Sequence, residues 1–285
     1  MRNPIMPREH IEFIQSQKLE WRPWPYLDGI DYKPLSRDPS SGATTGVFRF
    51  APGWRCTDQH WLESEEEFFI LKGVLIINEM RYTEGYYGYL PKHYLRRLIT
   101  TEGEAIVVRF IDHNPKLNFA ALDEPPPMPR EPIEGIDTFA MRWDRMVHDD
   151  KLTHLDFGRK ILRIDPVTKA KTFLYMVSPQ TYPDDWQGPK EYHPTVEEAF
   201  CVTGTLAGPH GIMRTGAYFW RPPQIPHGPF GSRTGCVLLI RFVGGEHINH
   251  WTEQNFPFNY DAPYAPVLPR AMADHQPDEW RPEPY

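Results

Sequence analysis

Two stretches decide the fold: residues 188–204 read GPKEYHPTVEEAFCVTG, and residues 216–228 read GAYFWRPPQIPHG. Glu191 and His193 are two positions apart, so an extended strand would place both side chains on one face. Glu197 lies four residues after His193 at the start of an apolar run, and His227 comes 30 residues after Glu197, just past a proline-rich turn. Antiparallel strands could bring these imidazoles and carboxylates together, and such a nitrogen and oxygen donor set suits Fe(II), Mn(II), Ni(II) or Zn(II).

The same landmarks recur in an earlier part of the chain. Paired landmarks keep their order and lie 127 to 132 positions apart: Asp38 with Asp165, Pro52 with Pro179, Glu66 with Glu197, Gly73 with Gly204, Gly85 with Gly216, Pro91 with Pro222, and Arg109 with Arg241. This conserved order indicates two copies of one unit. Prolines and glycines separate short Val, Ile, Phe and Tyr runs, which predicts mostly β structure. Helical periodicity is limited to Arg8–Lys18 and, weakly, to Thr195–Glu198.

The second copy resembles the cupin superfamily, whose motifs are G-x5-H-x-H-x3,4-E-x6-G and G-x5-P-x-G-x2-H-x3-N. It matches these motifs at His193, Glu197, Gly204, Gly216, Pro222 and His227. It departs from them at Glu191, which stands where the first histidine is usual, and also at Asp185, Gln224 and Gly231. The resemblance covers roughly residues 26–245 and implies a bicupin, a mainly β protein with two cupin-type jelly-roll β-barrels in tandem.

The repeat and the composition predict four segments. Residues 1–114 form an N-terminal barrel with a leading segment, residues 115–150 a proline-rich linker, residues 151–246 a C-terminal barrel, and residues 247–285 a tail rich in proline and aromatic residues. Proline removes hydrogen-bond donors from a strand ladder, so the tail cannot be a central strand. We expect it to be an extended strap over its own domain; an arm across a dimer partner is the alternative.

The N-terminal copy lacks the same ligand set. At the 131-residue offset, its four positions hold His60, Leu62, Glu66 and Arg96. Leucine cannot ligate a metal, and an arginine repels one, so Arg96 is predicted to pair with Glu66 in the space that a metal would fill. We therefore expect a metal-free, mainly structural N-terminal barrel. A second site formed by His60, Glu66 and His93 is the alternative.

The resemblance implies one divalent metal ion per chain, with Fe(II) as the leading candidate and Mn(II), Ni(II) or Zn(II) as alternatives. Its expected ligands are Glu191, His193, Glu197 and His227, and Glu191 either binds the ion or acts as the catalytic acid or base. Strand alternation turns Glu198 outward. Arg241 is interpreted as a member of a structural ion pair because its counterpart Arg109 recurs in the other copy, and Cys201 as an inert inward-facing thiol.

The function expected from this resemblance is that of a metal-dependent oxygenase, a non-haem dioxygenase. Its substrates would be dioxygen and a small chelating molecule such as a catechol-like, β-dicarbonyl or hydroxyketone compound. A non-redox isomerase, lyase or decarboxylase is the first alternative, because the same ligands serve Lewis-acid chemistry. A non-catalytic small-molecule-binding cupin is the second, since fold does not fix function.

Composition excludes several other classes. The net charge of −7 argues against a nucleic-acid-binding protein, because no basic surplus exists to displace counterions. No apolar run approaches the roughly 18 residues that a membrane span needs, and MRNPIMPREHIEF lacks the apolar core of a secretory signal. Three cysteines without CxxC spacing fit reduced thiols. We therefore expect a cytoplasmic protein, either a monomer or a homodimer.

Overall fold

The computed structural model describes residues 8–146, 149–179, 182–183, 185–275 and 285. The predicted leading segment and tail extend beyond these residues, at residues 1–7 and 276–284 respectively. The described chain is mainly β, as predicted, and its helical content consists of three short 3-10 turns at Ser16–Lys18, Thr153–Leu155 and Arg270–Met272. Within the described residues, no helix has the length and apolar character needed to cross a membrane.

Twenty strands make up the described chain. The first twelve are β1 (Ile11–Gln15), β2 (Arg22–Pro23), β3 (Ile30–Arg37), β4 (Thr44–Phe50), β5 (Arg55–Cys56), β6 (His60–Leu62), β7 (Glu66–Ile77), β8 (Met80–Thr83), β9 (Tyr86–Leu90), β10 (Ile99–Ile111), β11 (Leu117–Phe119) and β12 (Ile133–Asp137). The others are β13 (Gly158–Ile164), β14 (Lys171–Val177), β15 (Gln187–Tyr192), β16 (Val196–Gly208), β17 (Gly211–Arg214), β18 (Ala217–Arg221), β19 (Cys236–Val243) and β20 (His250–Pro257).

The chain divides into two compact units whose limits differ from the predicted domain boundaries. The N-terminal unit is Leu19–Met141, and the C-terminal unit combines the residues up to Lys18 with Arg142–Tyr285. Strand pairing explains the difference. β1 pairs with β18, so the leading segment belongs to the C-terminal unit. β12 pairs with β9, so much of the predicted linker belongs to the N-terminal unit.

The N-terminal unit contains a nine-stranded antiparallel sheet and a separate two-stranded sheet. The large sheet has the order β12-β9-β7-β10-β4-β3-β2, with β5 beside β10 and β8 beside β7, and β6 pairs with β11 in the small one. The alternating apolar side chains of the central strands face one core, which includes Phe48, Phe68, Ile70 and Val107. Burial of such side chains stabilises each by about 1.5–3 kcal/mol.

The C-terminal unit has the same kind of arrangement. Its seven-stranded sheet has the order β1-β18-β16-β19-β14-β13, with β17 beside β16, and β15 pairs with β20 in a two-stranded sheet. In the register of the central strands, Glu197 lies opposite Arg221 on β18 and Phe242 on β19. Ala199 and Cys201 alternate with outward residues and lie in the core, so the inward-facing thiol is confirmed. All three cysteines are free and buried.

Turns at matching positions confirm the internal repeat. Asp38 donates its N–H to Ala43 O, and Asp165 donates to Ala170 O, both at 2.8 Å. Gly73 and Gly204 adopt φ values of +78° and +81°, and a Cβ at either position would lie 2.0 Å from a backbone carbonyl oxygen, that of Glu104 or Gly235 respectively. Only glycine tolerates that conformation and that close approach. The chain therefore bends in the same way at the same point of each unit.

The predicted helical segments are mostly strand, and only Ser16–Lys18 forms a 3-10 turn. Ile11–Gln15 is a fully buried strand, and residues 196–198 begin β16. A short apolar run does not distinguish a buried strand from a buried helix by periodicity alone. The described part of the tail contacts its own unit: β20 pairs with β15, and Val267 exchanges backbone hydrogen bonds with Glu12.

Candidate metal centre

The small sheet and the loop after β18 position the predicted ligands. Glu191 lies near the end of β15, and His193 follows directly after that strand. His227 lies in the loop after β18, where its backbone N–H and C=O bond to the C=O and N–H of Glu191 at 2.9 and 3.0 Å. The corresponding bridge in the N-terminal unit joins His60 to Arg96. The 131-residue offset between the two sets of positions is therefore confirmed.

Glu191, His193 and His227 form a group of potential metal ligands. One ligand atom from each lies within 4.8 Å of the other two. Both histidines are buried, each with an exposed fraction of 4 %. Among the described residues, this is the group of three histidine, cysteine, aspartate or glutamate side chains whose ligand atoms converge. One carboxylate and two imidazoles therefore converge on one point.

In both histidines a hydrogen bond from Nδ1 leaves Nε2 available to bind a metal ion. His193 Nδ1 contacts Ile248 O at 3.1 Å, and His227 Nδ1 contacts Ile225 O at 2.9 Å. A carbonyl oxygen only accepts, so each Nδ1 must carry the hydrogen, and Nε2 of the neutral ring keeps its lone pair. His227 Nε2 is buried and has no hydrogen-bond partner among the described residues. A metal ion would satisfy this atom.

Glu197 also contacts the two histidines, with its Oε2 3.7 Å from His193 Nε2, but the same oxygen is held by a guanidinium. Its Oε2 accepts a hydrogen bond from Arg221 Nη1 at 2.5 Å and lies 3.3 Å from His227 Nε2. Arg221 is also bound by both carboxylate oxygens of Glu12, which comes from β1. The buried guanidinium therefore compensates the charge of Glu197 and fixes its orientation.

Electrostatics keep the acidic groups of the site ionised. Burial alone would raise the pKa of Glu191, but His227, His193 and His247 outweigh it and lower that pKa to about 2. Burial would likewise raise the pKa of Glu12, but the adjacent Arg221 holds it well below its usual range. The free site therefore carries a surplus of negative charge, which favours a cation.

His247 is a site residue that the sequence reasoning did not assign. Its ring stacks on Phe242 with centroids 3.8 Å apart, and its Nε2 lies 2.7 Å from Asn249 Oδ1. Burial and the neighbouring His193 lower the pKa of His247 to about 4, so the ring is neutral at pH 7. The sequence places His247 shortly after the end of β19, and this position could have identified it as a site residue. Nothing in the sequence connects Glu12 with Arg221, which lies 209 residues away.

A cavity of about 60 Å³ adjoins two of the three ligands, Glu191 and His193. Its walls are mostly aliphatic and aromatic, with a few polar groups: Leu152, Leu155, Arg159, Phe173, Tyr175, Val177, Glu191, His193, Glu197, Leu206, Phe219, Arg221, Phe230, Leu238, Ile240, Phe242, His247 and Asn249. A buried water needs roughly 10–15 Å³ of such space, so the cavity has room for an ion and a compact molecule. Arg159 Nε is buried and lacks a hydrogen-bond partner within the described chain.

The N-terminal unit replaces this centre with an ion-pair cluster. Arg96 Nη2 donates to Glu66 Oε2 at 3.0 Å, which confirms the predicted pair, and Arg109 Nε donates to Glu66 Oε1 at 2.6 Å. The alternative site is not assembled, because His93 instead contacts Glu63 Oε2 at 3.1 Å and Pro127 O at 3.0 Å. Its φ of +69° shows that it occupies a turn position.

Arg241 is a member of a structural ion pair, as predicted, but it is not the counterpart of Arg109. Arg241 Nη1 donates to Glu198 at 2.5 Å, and Tyr218 OH donates to the other oxygen of this outward-facing carboxylate. Arg109 pairs instead with the inward-facing Glu66. The 132-residue spacing differs by one from the 131-residue offset, and one position in a strand reverses the face.

His60 makes the stability of the N-terminal unit depend on pH. Burial, together with Arg96 and Arg109, lowers its pKa from 6.5 to about 4. Between these values the unfolded chain binds a proton that the folded chain does not, so stability falls as the pH is lowered. We expect the loss of unfolding free energy between pH 7 and pH 5 to be smaller in His60→Gln by about 2 kcal/mol. Urea unfolding at both pH values measures it. The exposed His113→Gln is the control, and equal losses in wild type and His60→Gln would contradict the prediction.

The comparisons with known proteins agree with a cupin-like fold. The sequence profile of the ChrR Cupin-like domain family matches residues 9–115, a little over a third of the chain. No curated protein sequence gave a significant match. The profile match therefore covers most of the N-terminal unit and leaves the candidate metal centre outside it.

Solved structures resemble most of the chain at low sequence identity. A protein from Nostoc punctiforme, provisionally named a dioxygenase, has a TM-score of 0.71 at 15% identity and covers 89% of this chain and 92% of its own. A provisionally named glyoxylate-induced protein from Pseudomonas aeruginosa has a TM-score of 0.60 at 13% identity and covers 89% of this chain and 96% of its own. An oxalate decarboxylase variant from Bacillus subtilis has a TM-score of 0.54 at 13% identity and covers 84% of this chain and 78% of its own. The chain is thus a mainly β protein with the cupin-like jelly-roll fold.

Proposed function

We propose that this chain is a bicupin enzyme, a metal-dependent oxygenase whose active site is the cavity of the C-terminal unit. Glu191, His193 and His227 would hold one divalent metal ion there. The observation that carries the proposal is the convergence of the Nε2 atoms of His193 and His227 and the carboxylate of Glu191 within 4.8 Å, with Glu191 and His193 at the wall of a largely apolar cavity. Two histidines and one carboxylate are the donor set of non-haem iron oxygenases, which favours Fe(II).

The bound metal would supply Lewis acidity and redox capacity, and the chain's own residues would bind and orient the substrate. Arg159 lines the cavity with a partnerless Nε, so it is placed to bind an anionic oxygen of the substrate. The apolar walls would pack against the carbon atoms of the substrate. A cavity of about 60 Å³ favours the smaller chelating substrates, such as a short β-dicarbonyl or hydroxyketone anion.

Glu197 would act as the acid or base that exchanges a proton with the bound substrate. Its carboxylate lines the cavity, stands outside the converging group, and is oriented by Arg221. This division of roles differs from the expected one, in which Glu197 binds the metal and Glu191 is either ligand or acid and base. It follows from Arg221, which already occupies one oxygen of Glu197.

Oxygen uptake tests the reaction class. Full-length protein loaded with Fe(II) under anaerobic conditions is mixed with oxygenated buffer and a panel of small chelating anions, and oxygen consumption is followed with an electrode. We expect uptake that requires both the iron and a substrate. Arg159→Gln should raise KM at least about tenfold with a smaller effect on kcat, because it removes a charge-assisted contact. Arg233→Gln, which alters an exposed ion pair of the same unit, is the control.

A non-redox lyase or decarboxylase is the second candidate, and Glu197 is the observation that favours it. A carboxylate free of the metal can protonate a carbanion without any oxidant. Turnover with Mn(II), Zn(II) or Ni(II) in the absence of oxygen would assign this class. The Bacillus subtilis oxalate decarboxylase, a structural neighbour with a TM-score of 0.52, has Mn(II) centres. Tight ligand binding without turnover under either condition would overturn both enzymatic proposals.

A further inference from the structure

The N-terminal unit has a cavity of its own, of about 30 Å³, lined by the four positions that correspond to Glu191, His193, Glu197 and His227. Glu66, Arg96, Arg109 and His60 contribute to its wall, together with aromatic side chains that include Trp24, Phe50 and Trp54. The proposed enzymatic function makes no use of this cavity. Its chemistry differs from that of the C-terminal unit.

The charged groups around this cavity do not balance. Arg96 and Arg109, with exposed side-chain fractions of 2% and 13%, face a single carboxylate, that of Glu66. His60 adds no negative charge, and the pKa of about 4 that follows mainly from its burial keeps the ring neutral at pH 7. The carboxylate of Glu134 accepts a hydrogen bond from Tyr94 OH at 2.5 Å. Glu134 does not line the cavity, so one positive charge is left in surplus among the residues that do.

Arg109 has unused hydrogen-bonding capacity. Its Nε donates to Glu66, and its Cζ lies 4.6 Å from the centroid of Phe48. Its two terminal nitrogens donate to no residue in the described part of the chain. Arg96, by contrast, uses Nη1 for Tyr94 O at 3.1 Å and Nη2 for Glu66. The surplus charge and the free donors therefore belong to the same guanidinium.

The C-terminal unit has the opposite imbalance. Glu12, Glu191 and Glu197 exceed the two guanidinium groups of Arg159 and Arg221. A buried charge without a partner costs several kcal/mol, so each cavity favours a ligand of the sign that it lacks. For the C-terminal unit this is a cation. For the N-terminal unit it is an anion.

We propose that the N-terminal unit binds one small carboxylate, of the size of formate or acetate, on the terminal nitrogens of Arg109. The guanidinium fork matches the geometry of a planar carboxylate and can donate to both oxygens. A cavity of about 30 Å³ has room for about two or three water molecules, which limits the ligand to three or four non-hydrogen atoms. Its aromatic walls accommodate the carbon end of the molecule.

Calorimetric titration of the full chain with sodium formate, without added metal and at constant ionic strength, tests the proposal. We expect one saturable site per chain in wild type and in Arg81→Gln, which alters only an exposed ion pair with Glu102. Arg109→Gln should weaken binding at least about tenfold. Arg159→Gln in the C-terminal cavity should leave it unchanged. No saturation up to about 0.1 M formate, or loss of binding in Arg159→Gln with retention in Arg109→Gln, would overturn the proposal.

Glu66→Gln provides a variant with the opposite expected effect, which separates anion binding from a general loss of structure. It raises the surplus from one positive charge to two, so formate should bind at least about tenfold more tightly. The formate-induced rise in Tm should also exceed that of wild type. Unchanged or weaker binding by a folded Glu66→Gln protein would contradict the proposal. These measurements need neither metal nor turnover, so they are independent of the proposed oxygenase activity.

Discussion

His227→Ala is expected to abolish tight metal binding by the C-terminal unit. The variant removes a buried Nε2 that lacks a hydrogen-bond partner among the described residues and whose tautomer is set by Ile225 O. His193→Ala should have the same effect, since its Nε2 is prepared in the same way. We expect the affinity for Mn(II) to fall by more than about a hundredfold in each, because even groups behind the ligands contribute tenfold to a hundredfold.

Substitutions of Glu191 and Glu197 should differ in their effect on Mn(II) affinity. Glu191→Gln removes a converging donor and should weaken Mn(II) binding about as much as the histidine variants do. Glu197→Gln should keep one Mn(II) per chain, because Arg221 already occupies its oxygen. The assignment of Glu191 as ligand and Glu197 as non-ligand would be wrong if Glu197→Gln lost Mn(II) and Glu191→Gln retained it.

Mn(II) electron paramagnetic resonance and elemental analysis measure these affinities without reference to catalysis. His113→Ala, which alters a surface imidazole of the N-terminal unit, is the matched control and should bind as wild type. Circular dichroism establishes that each variant is folded. Retention of one tightly bound Mn(II) by folded His193→Ala and His227→Ala proteins would remove the basis of the proposed function.

Much of this centre could be predicted because its spacing survives in the sequence. The bridge between Glu191 and His227 and the bridge between His60 and Arg96 occupy positions that a constant offset connects. Strand alternation is local, so it also placed Glu198 away from the cavity, although the side chain is fully buried against Arg241 and Tyr218. Arg109 marks the limit of such reasoning, because an offset that was wrong by one residue reversed its face.

Contacts between distant segments could not be predicted. Glu12 lies in a strand that had helical periodicity, and its contact with Arg221 depends on the pairing of β1 with β18. That pairing is a property of the assembled sheet rather than of either segment. The proposed separation of roles between Glu191 and Glu197 depends on Arg221, so the same gap explains why the sequence alone made Glu197 a ligand and left Glu191 as either a ligand or an acid and base.

Arg221→Met should destabilise the C-terminal unit by about 3–5 kcal/mol, the usual cost of breaking a buried ion pair by removing one partner. The guanidinium is almost fully buried and binds Glu12 and Glu197, so the variant leaves two buried carboxylates without their cation. Urea unfolding measures the loss, and hydrogen exchange of the β16 amides assigns it to this unit. Arg81→Met, at an exposed ion pair, should leave the free energy of unfolding close to that of wild type.

The double variant Glu12→Gln/Arg221→Met separates charge from packing. It removes one of the two stranded carboxylates, so it should be more stable than Arg221→Met alone, whereas a pure packing defect would make the losses additive. The pH supplies a second criterion. Arg221 depresses the pKa of Glu12, so the stability that this pair contributes is present above the usual glutamate pKa of 4.5 and is lost as the pH falls below it. The difference between wild type and Arg221→Met should therefore shrink in acid, and a difference that is constant down to the acid limit of folding would show that the charge of Arg221 does not stabilise this unit.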